Sequence, residues 1–268
     1  MAALRNIYED AIRGGETSLA LIAGEAGIGK TRLLMAFAGW ASSQPEEPTL
    51  LRGRAITSSQ SIPYHIFRNL FAKHFDILES DSSTQALRKF RRGMHPILDE
   101  EQADLVGQLV GFDFKSSPAV MRLVGNPSFS EIALLYLVNF FRKKVEEPLI
   151  LMFEDLHWMD DSSLNLITEL GTKLRAEENS KLLIVCTSRM LFFERRENWG
   201  EGLSGFTRLN LKRLSQLRSR TLIEDILFRV EDVPDSFFDL VIDAAAGNPF
   251  FIEELIKMLI DEGVIDTD

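Results

Sequence analysis

Two kinds of hydrophobic pattern alternate along the chain. Short apolar runs bounded by turn residues are typical of buried strands, and longer segments with apolar residues three or four positions apart are typical of helices. We predict strands at 18–23, 50–55, 149–153, 182–187 and 207–211. Because helical patterns separate most of these runs, the sequence predicts βαβ units and a mainly parallel five-stranded sheet.

The helical patterns divide the chain into two unequal parts. An amphipathic stripe begins the chain at Leu4, Ile7, Tyr8 and Ala11, and further helices are predicted at 30–40, 63–75, 128–144 and 162–176. Residues 76–127 predict an irregular helical insertion without a recognisable motif. After the last strand, patterns near 214–229, 234–245 and 249–262 predict three helices with no strand among them. We therefore expect an α/β domain over 1–211 and a small helical lid over 212–268.

Composition narrows the class of protein. The chain has 268 residues, of which 45% are hydrophobic and 26% are charged, as in a soluble globular protein. Its one cysteine, Cys186, excludes an internal disulfide framework and fits a reducing cytosol. No apolar run approaches the length of a membrane span, and the first residues lack the features of a signal peptide. We therefore expect a cytoplasmic location and no membrane partner.

The net charge is −10, which argues against nucleic acid as a direct ligand, because proteins that bind nucleic acid usually carry a basic surface. A local basic strip does occur at Arg88, Lys89, Arg91 and Arg92. Its helical context favours a solvated face over a binding surface. We therefore expect no nucleic-acid contact through this part of the protein.

A complete phosphate-loop motif follows the first strand. Gly24, Glu25, Ala26, Gly27, Ile28, Gly29, Lys30 and Thr31 match G-x-x-x-x-G-K-[ST] between a strand and a helix. The glycines allow successive N–H groups to turn toward an anion, and the helix N-terminus points to the same place. Lys30 is predicted to reach the β- and γ-phosphates, and the Thr31 hydroxyl to bind Mg²⁺. A glycine-rich turn that matches by chance is the weaker alternative.

The third predicted strand ends in two carboxylates, Glu154 and Asp155. Hydrolysis needs one carboxylate to hold Mg²⁺ and another to orient the attacking water. By position we assign the metal to Glu154 and the water to Asp155. Consecutive strand residues point to opposite faces, so this division is less secure than the presence of the pair. A strand that stops at a polar turn is the alternative.

The fourth predicted strand ends in Thr-Ser-Arg. In a parallel sheet its carboxyl end faces the same crevice as the phosphate loop, so Arg189 is a candidate to sense the γ-phosphate or to stabilise transition-state charge. A surface arginine is the alternative. Cys186 is interpreted as a small core residue rather than a nucleophile. The four histidines show no metal-ligand spacing, and His157 is interpreted as structural.

Four segments together resemble a known family. GEAGIGKTRLL, FEDLHWMDDSSLNLI, CTSR and GNPFFIEEL are similar to the ATPase domain of the STAND class of P-loop ATPases. The closest resemblance is to large ATP-binding regulators of the LuxR family and to modules attached to nucleotide cyclases and kinases. It spans nearly the whole chain and is weakest at 76–127. The carboxylate order, Glu then Asp, departs from the more typical Asp-Asp or Asp-Glu.

The resemblance implies an AAA-like fold of three layers that binds ATP or ADP with Mg²⁺. It places Pro249 near the adenine, assigns Arg189 as the phosphate sensor, and adds Arg32 to the nucleotide-binding residues. It also implies a Gly-Arg motif before the first helix, and winged-helix and sensor domains after the lid. The sequence given contains none of these, so we expect the winged-helix and sensor domains in a longer protein.

The expected function is slow ATP hydrolysis that acts as a regulatory switch in signal transduction or transcription regulation, with self-association in the ATP state. A scaffold that binds nucleotide and oligomerises without hydrolysis is the main alternative. A DNA-loading AAA+ ATPase is a third, and the acidic charge disfavours it. The sequence does not identify the inducing signal or the output.

Overall fold

The computed structural model describes residues 1–230 and 233–265, and a five-stranded sheet lies at its centre. The strands are β1 (Ser18–Ala23), β2 (Thr49–Arg54), β3 (Leu149–Glu154), β4 (Leu182–Ser188) and β5 (Phe206–Asn210). Their order across the sheet is β2-β3-β4-β1-β5, and every neighbouring pair is parallel. The predicted parallel five-stranded sheet is therefore confirmed.

The helices follow the predicted order. They are α1 (Ala2–Tyr8), α2 (Lys30–Ser42), α3 (His65–His74), α4 (Ser83–Met94), α5 (Glu100–Leu109), α6 (Pro118–Leu123), α7 (Phe129–Lys144), α8 (Asp161–Arg175), α9 (Phe192–Arg195), α10 (Gln216–Ile226), α11 (Asp235–Ala245) and α12 (Pro249–Asp261). A π-helical turn over Glu9–Arg13 continues α1. The short helix α9 was not predicted. None of the described helices is long and apolar enough to cross a membrane.

Two apolar layers cover the sheet, which explains why its central strands are continuous apolar runs. Every residue of β1, β3 and β4 is buried, as expected for strands covered on both faces. On one face Ala20 and Met152 pack in a cluster with residues of α1 and α2. On the other face Leu21 and Phe153 belong to a larger cluster that includes α3, α7 and α8. The result is the predicted three-layer α/β architecture.

The segment predicted as an irregular insertion contains α4, α5 and α6. Capping boxes at Ser82 and Asp99 begin α4 and α5, and these orient the two helices at their first turns. In the basic strip, Arg91 donates from Nε and Nη2 to the two carboxylate oxygens of the buried Asp104, both at 2.7 Å. Lys89 bonds Asp81 at 2.7 Å. Lys89 and Arg91 are therefore partly exposed and paired with acidic side chains, whereas Arg88 and Arg92 are exposed.

The last three helices have an apolar cluster of their own. Ile223 of α10, Val241 of α11, and Ile252 and Ile256 of α12 form its buried centre. This cluster is separate from the two that cover the sheet. These three helices and the turns between them, here named the lid, contact the α/β part at the loop that follows β1, where Nδ2 of Asn248 donates to the carbonyl oxygen of Ala26.

Candidate nucleotide-binding site

The loop between β1 and α2 has a backbone conformation that glycine adopts more readily than other residues. Gly27 and Gly29 have φ values of 76° and 95°, in the left-handed region that side chains rarely adopt. Gly29 is also the N-cap residue of α2, and a Cβ built there would meet nothing within 4 Å. Open space therefore lies beside the N-cap of α2, and a helix N-terminus with open space beside it can bind an anion.

Lys30 lies folded over the loop. Its buried Nζ donates to the carbonyl oxygens of Gly24 at 2.9 Å and Glu25 at 2.7 Å. Burial lowers the pKa of Lys30, the carboxylate of Asp155 opposes that shift, and the guanidinium of Arg189 adds to it. The side chains of Lys30, Asp155 and Arg189 therefore share one electrostatic neighbourhood.

The next two predicted residues lie in the first turn of α2. Thr31 and Arg32 are both exposed. Arg32 donates from Nη1 to Glu253 on α12 at 3.2 Å, although both side chains are largely exposed. The start of α2 is therefore in contact with the lid.

Each carboxylate at the end of β3 has an arginine partner from β2. Glu154 is buried, with 1% of its surface exposed, and its Oε1 lies 2.6 Å from Nε and 2.5 Å from Nη2 of Arg52. Asp155, with φ of 59°, accepts from Nε of Arg54 at 2.9 Å. Its backbone N–H donates to the hydroxyl of Thr187 on β4 at 3.2 Å. The structure thus distinguishes the two carboxylates, because Glu154 is enclosed and Asp155 is partly exposed.

The carboxyl end of β4 lies between the phosphate loop and the acidic pair, because β4 pairs with both β1 and β3. The N–H of Gly24 donates to the carbonyl oxygen of Ser188 at 3.2 Å and ties the loop to this end. Arg189 follows directly and is exposed. The candidate sensor, the loop and the acidic pair therefore meet at one edge of the sheet, as predicted for parallel strands.

A cleft of about 730 Å³ extends from the phosphate loop toward the lid. Its walls include Ile28, Gly29 and Arg32 on one side and Pro249 on the other. Further walls come from Met1, the linker 210–214, and Arg218, Thr221, Leu222 and Asp225 of α10. The volume is within the range of small-molecule sites, roughly 300–1,000 Å³. Pro249 therefore shares one cleft with the phosphate loop.

A family model for the AAA ATPase domain matches residues 1–185, which is more than half of the chain. The protein belongs to the AAA ATPase domain family. A second model, a domain of unknown function (DUF8739), matches residues 215–268 of this AAA ATPase domain protein, where α10 to α12 lie. No curated protein of known function matches the sequence.

Solved structures share the fold of the AAA ATPase domain. The ORC1 protein of Aeropyrum pernix, solved in complex with DNA, matches with a TM-score of 0.56 and 14% identity, over 97% of this chain and 59% of that one. A Walker-type ATPase of Pyrococcus abyssi matches with a TM-score of 0.50 and 14% identity, over 92% of this chain and 63% of that one. A STAND protein of Pyrococcus horikoshii with a tetratricopeptide repeat sensor has a TM-score of 0.42 and 17% identity, over 96% of this chain and 32% of that one, and this score is too low to indicate a shared fold. The chain thus spans less than two thirds of each of these proteins. It is a P-loop, AAA-like ATPase module.

The residues of the AAA ATPase domain at this edge fit a magnesium-bound nucleotide. The N-cap of α2 has open space beside it, the ammonium of Lys30 lies on the same loop, and Thr31 and the acidic pair carry oxygen atoms of the kind that Mg²⁺ prefers. Within the described ranges, no group of three or more His, Cys, Asp or Glu side chains is arranged to hold a metal by itself.

Sequence reasoning missed several residues of the AAA ATPase domain site. Arg52 and Arg54 were not predicted, although Arg-Gly-Arg at the end of a strand was a usable signal once that strand is known to neighbour β3. The linker 210–214 and α10 were also missed, because no motif marks them. His157 was considered only structural. It is 7% exposed, and neither ring nitrogen has a hydrogen-bond partner within the described part of the chain.

Proposed function

We propose that this AAA ATPase domain binds Mg-ATP and hydrolyses it slowly, as a nucleotide-dependent regulatory switch. The observation that supports it best is the position of Lys30, which lies on the phosphate loop within the fields of Asp155 and Arg189 and beside a cleft large enough for a nucleoside. We also propose the division at 211/212, with the α/β part holding the phosphates and the lid covering the base near Pro249.

Each residue has a proposed role. Lys30 leaves its two loop carbonyls to bind the β- and γ-phosphates, and the loop N–H groups bind the remaining phosphate oxygens. Thr31 and Glu154 hold Mg²⁺, which when bound neutralises charge on those oxygens. Asp155 orients the attacking water, and Arg189 stabilises charge that develops on the γ-phosphate.

The arginine partners favour slow turnover. Asp155 is engaged by Arg54, so its carboxylate has to give up or share that bond before it orients a water molecule. P-loop switches that lack a fully placed arginine turn over near ~10⁻⁴ s⁻¹, and a supplied arginine contributes about 10³- to 10⁵-fold. A role in signal transduction, as in LuxR-family regulators, rests on the resemblance of the four motifs to STAND ATPases.

Two other functions make different predictions. The arginine partners also favour a scaffold that binds nucleotide without hydrolysing it, because Glu154 and Asp155 are both already paired with arginines. A DNA-loading ATPase is suggested by the likeness of the fold to ORC1, and the net charge of −10 argues against it. Steady-state turnover that Asp155→Asn abolishes would exclude the scaffold.

Thermal melting with nucleotide tests the proposal. Ligand at a hundred times its Kd adds about 2.7 kcal/mol to the free energy of unfolding, so millimolar Mg-ATP or Mg-ADP should raise Tm clearly. Lys30→Ala should remove that increase, whereas Lys115→Ala, an exposed lysine of the insertion, should leave it unchanged. Without any increase for the wild type, nucleotide binding would be disproved. Titration with ATP and GTP in a calorimeter would establish the base preference.

A further inference from the structure

The lid contributes to the shape of the phosphate loop through one buried side chain. Asn248, directly before α12, is 3% exposed. Its Nδ2 donates to the carbonyl oxygen of Ala26 at 3.0 Å, across 222 positions of sequence. Its Oδ1 accepts from the N–H of Phe250 at 3.1 Å, and that same N–H lies 3.3 Å from the carbonyl oxygen of Gly27. Two consecutive loop carbonyls therefore face donors from the lid.

The directions of these bonds explain why the loop needs them. A loop that turns successive N–H groups toward an anion turns its carbonyls away from it, and a carbonyl withdrawn from water needs a donor. The lid supplies donors to the carbonyl oxygens of Ala26 and Gly27. We propose that Asn248 is a positioning residue, which holds the phosphate loop in its anion-binding conformation from the lid. The inference rests on the proposed binding of nucleotide at that loop.

The approach between lid and loop is close. A Cβ at Gly27 would lie 2.7 Å from Cβ of Phe250 and 2.8 Å from Oδ1 of Asn248, so a larger residue there would push the lid away. On the other side of Asn248, the carbonyl oxygen of Gly247 accepts from the N–H of Leu214 at 2.8 Å, which fixes the turn against the linker. The turn that carries Asn248 is thus held by the phosphate loop on one side and by the linker on the other.

The neighbouring ion pairs contribute less. Arg213 donates from Nε and Nη2 to Oε2 of Glu25 on the loop at 3.0 and 2.9 Å, but both side chains are 52% exposed. Exposed pairs of this kind are screened by water and salt. The buried amide of Asn248 is therefore the stronger connection between lid and loop.

One consequence is reciprocal coupling. If the closed lid stabilises the loop conformation that binds phosphate, bound phosphate stabilises the closed lid by the same factor. The lid then reports the occupancy of the loop through a contact that does not touch the nucleotide. A purely local N-cap at Asn248 would have no such effect.

Two substitutions separate the capping role from the positioning role. Asn248→Ser keeps a favourable N-cap for α12, but its side chain is too short to reach Ala26. Asn248→Asp also caps well, but it places a carboxylate oxygen next to the carbonyl oxygen of Ala26, which accepts from Nδ2 in the wild type. The matched control is Asn126→Ser in the insertion, because Oδ1 of Asn126 accepts from the N–H of Ser128 at 2.9 Å, two residues on, as Oδ1 of Asn248 does from Phe250.

We expect Asn248→Ser to weaken Mg-ADP binding by about 3- to 10-fold, the effect of one lost hydrogen bond, and Asn248→Asp to weaken it further. The control should bind as the wild type does. Hydrogen exchange without nucleotide is the second measurement, and amides 24–29 should exchange faster in both Asn248 variants. Wild-type affinity together with wild-type loop exchange in both variants would disprove the inference. If the wild type itself binds no nucleotide, the proposed function fails, and the exchange of the loop still decides the role of Asn248.

Discussion

The imidazole of His157 is enclosed by the protein, and yet both of its nitrogens lack a partner among the described residues. It follows Asp155 in a 3₁₀ turn, Leu156–Trp158, and its ring centroid lies 5.0 Å from that of Trp158. Burial lowers the pKa of His157 to about 4. The negative charge of Asp155 acts to raise this pKa, and the positive charges of Arg189 and Lys30 act to lower it. His157 is therefore neutral at neutral pH, and a buried group without a hydrogen bond costs stability.

His157→Phe should make unfolding less sensitive to pH. The pKa of His157 in the folded state is lower than the ordinary value of 6.5. Between about pH 6.5 and pH 4 the unfolded wild type therefore binds more protons than the folded one, and the free energy of unfolding decreases as the pH is lowered. His157→Phe lacks this proton linkage, so its free energy of unfolding relative to the wild type should increase as the pH is lowered from 6.5 to 4. Urea unfolding at several pH values measures the difference. A constant difference would mean that His157 titrates normally in the fold.

The two carboxylates should respond differently to neutralisation. Asp155→Asn should keep nucleotide affinity and lower turnover by about 10²- to 10⁴-fold, the contribution of a positioned base. Glu154→Gln should weaken the Mg²⁺ dependence of binding. It should also lower Tm, because Arg52 loses the charge of a buried partner. Turnover, magnesium titration and melting distinguish them, and exchanged phenotypes would reverse the assigned roles.

The types of the site residues were predictable, but their partners were not. Lys30, Asp155 and Arg189 follow strands, and parallel strands bring such residues to one edge, where the structure has them. The arginines that pair with Glu154 and Asp155 depend on β2 lying beside β3, which no local pattern encodes. The catalytic roles themselves stay predictions.

The strands of this fold were more predictable than its short helices. The predicted first strand coincides with β1, because an apolar run between polar turns has clear ends. The helix α9 has only four residues, too few to show a helical period. In the insertion, the rings of Phe90 on α4 and Phe114 in the loop before α6 have centroids 5.7 Å apart, and local periodicity does not reveal a contact between residues so distant in sequence.

Alanine at the two left-handed glycines should separate the lid from the loop. Both positions cost backbone strain, about 1–2 kcal/mol for a residue with Cβ. Gly27→Ala also collides with Phe250 and Asn248, whereas Gly29→Ala meets open space. Both should lose nucleotide binding, but only Gly27→Ala should speed hydrogen exchange at the start of α12. Equal exchange in the two variants would contradict the close approach described at Gly27.

The molecule contains unequal units of stability. The sheet is covered by two clusters, and the lid depends on one small cluster around Ile223 and Ile256. Regions with fewer buried apolar contacts open with less free energy. Amides of α10 and α11 should therefore exchange faster than those of β1 and β4, and Mg-ADP should reduce the difference, because the cleft is lined by both parts. Native-state hydrogen exchange with and without nucleotide measures this, and a lid as slow as the sheet would contradict it.

Cys186 makes the chain suited to labelling. It is the protein's one cysteine, it is fully buried in the central strand β4, and burial raises the pKa of its thiol. Thiol reagents therefore reach it only when the sheet itself opens. Dyes can be attached to cysteines introduced on the surface of the lid and the α/β part while Cys186 stays in place. The rate at which Cys186 itself becomes labelled would then measure, in the same sample, how fast the sheet opens.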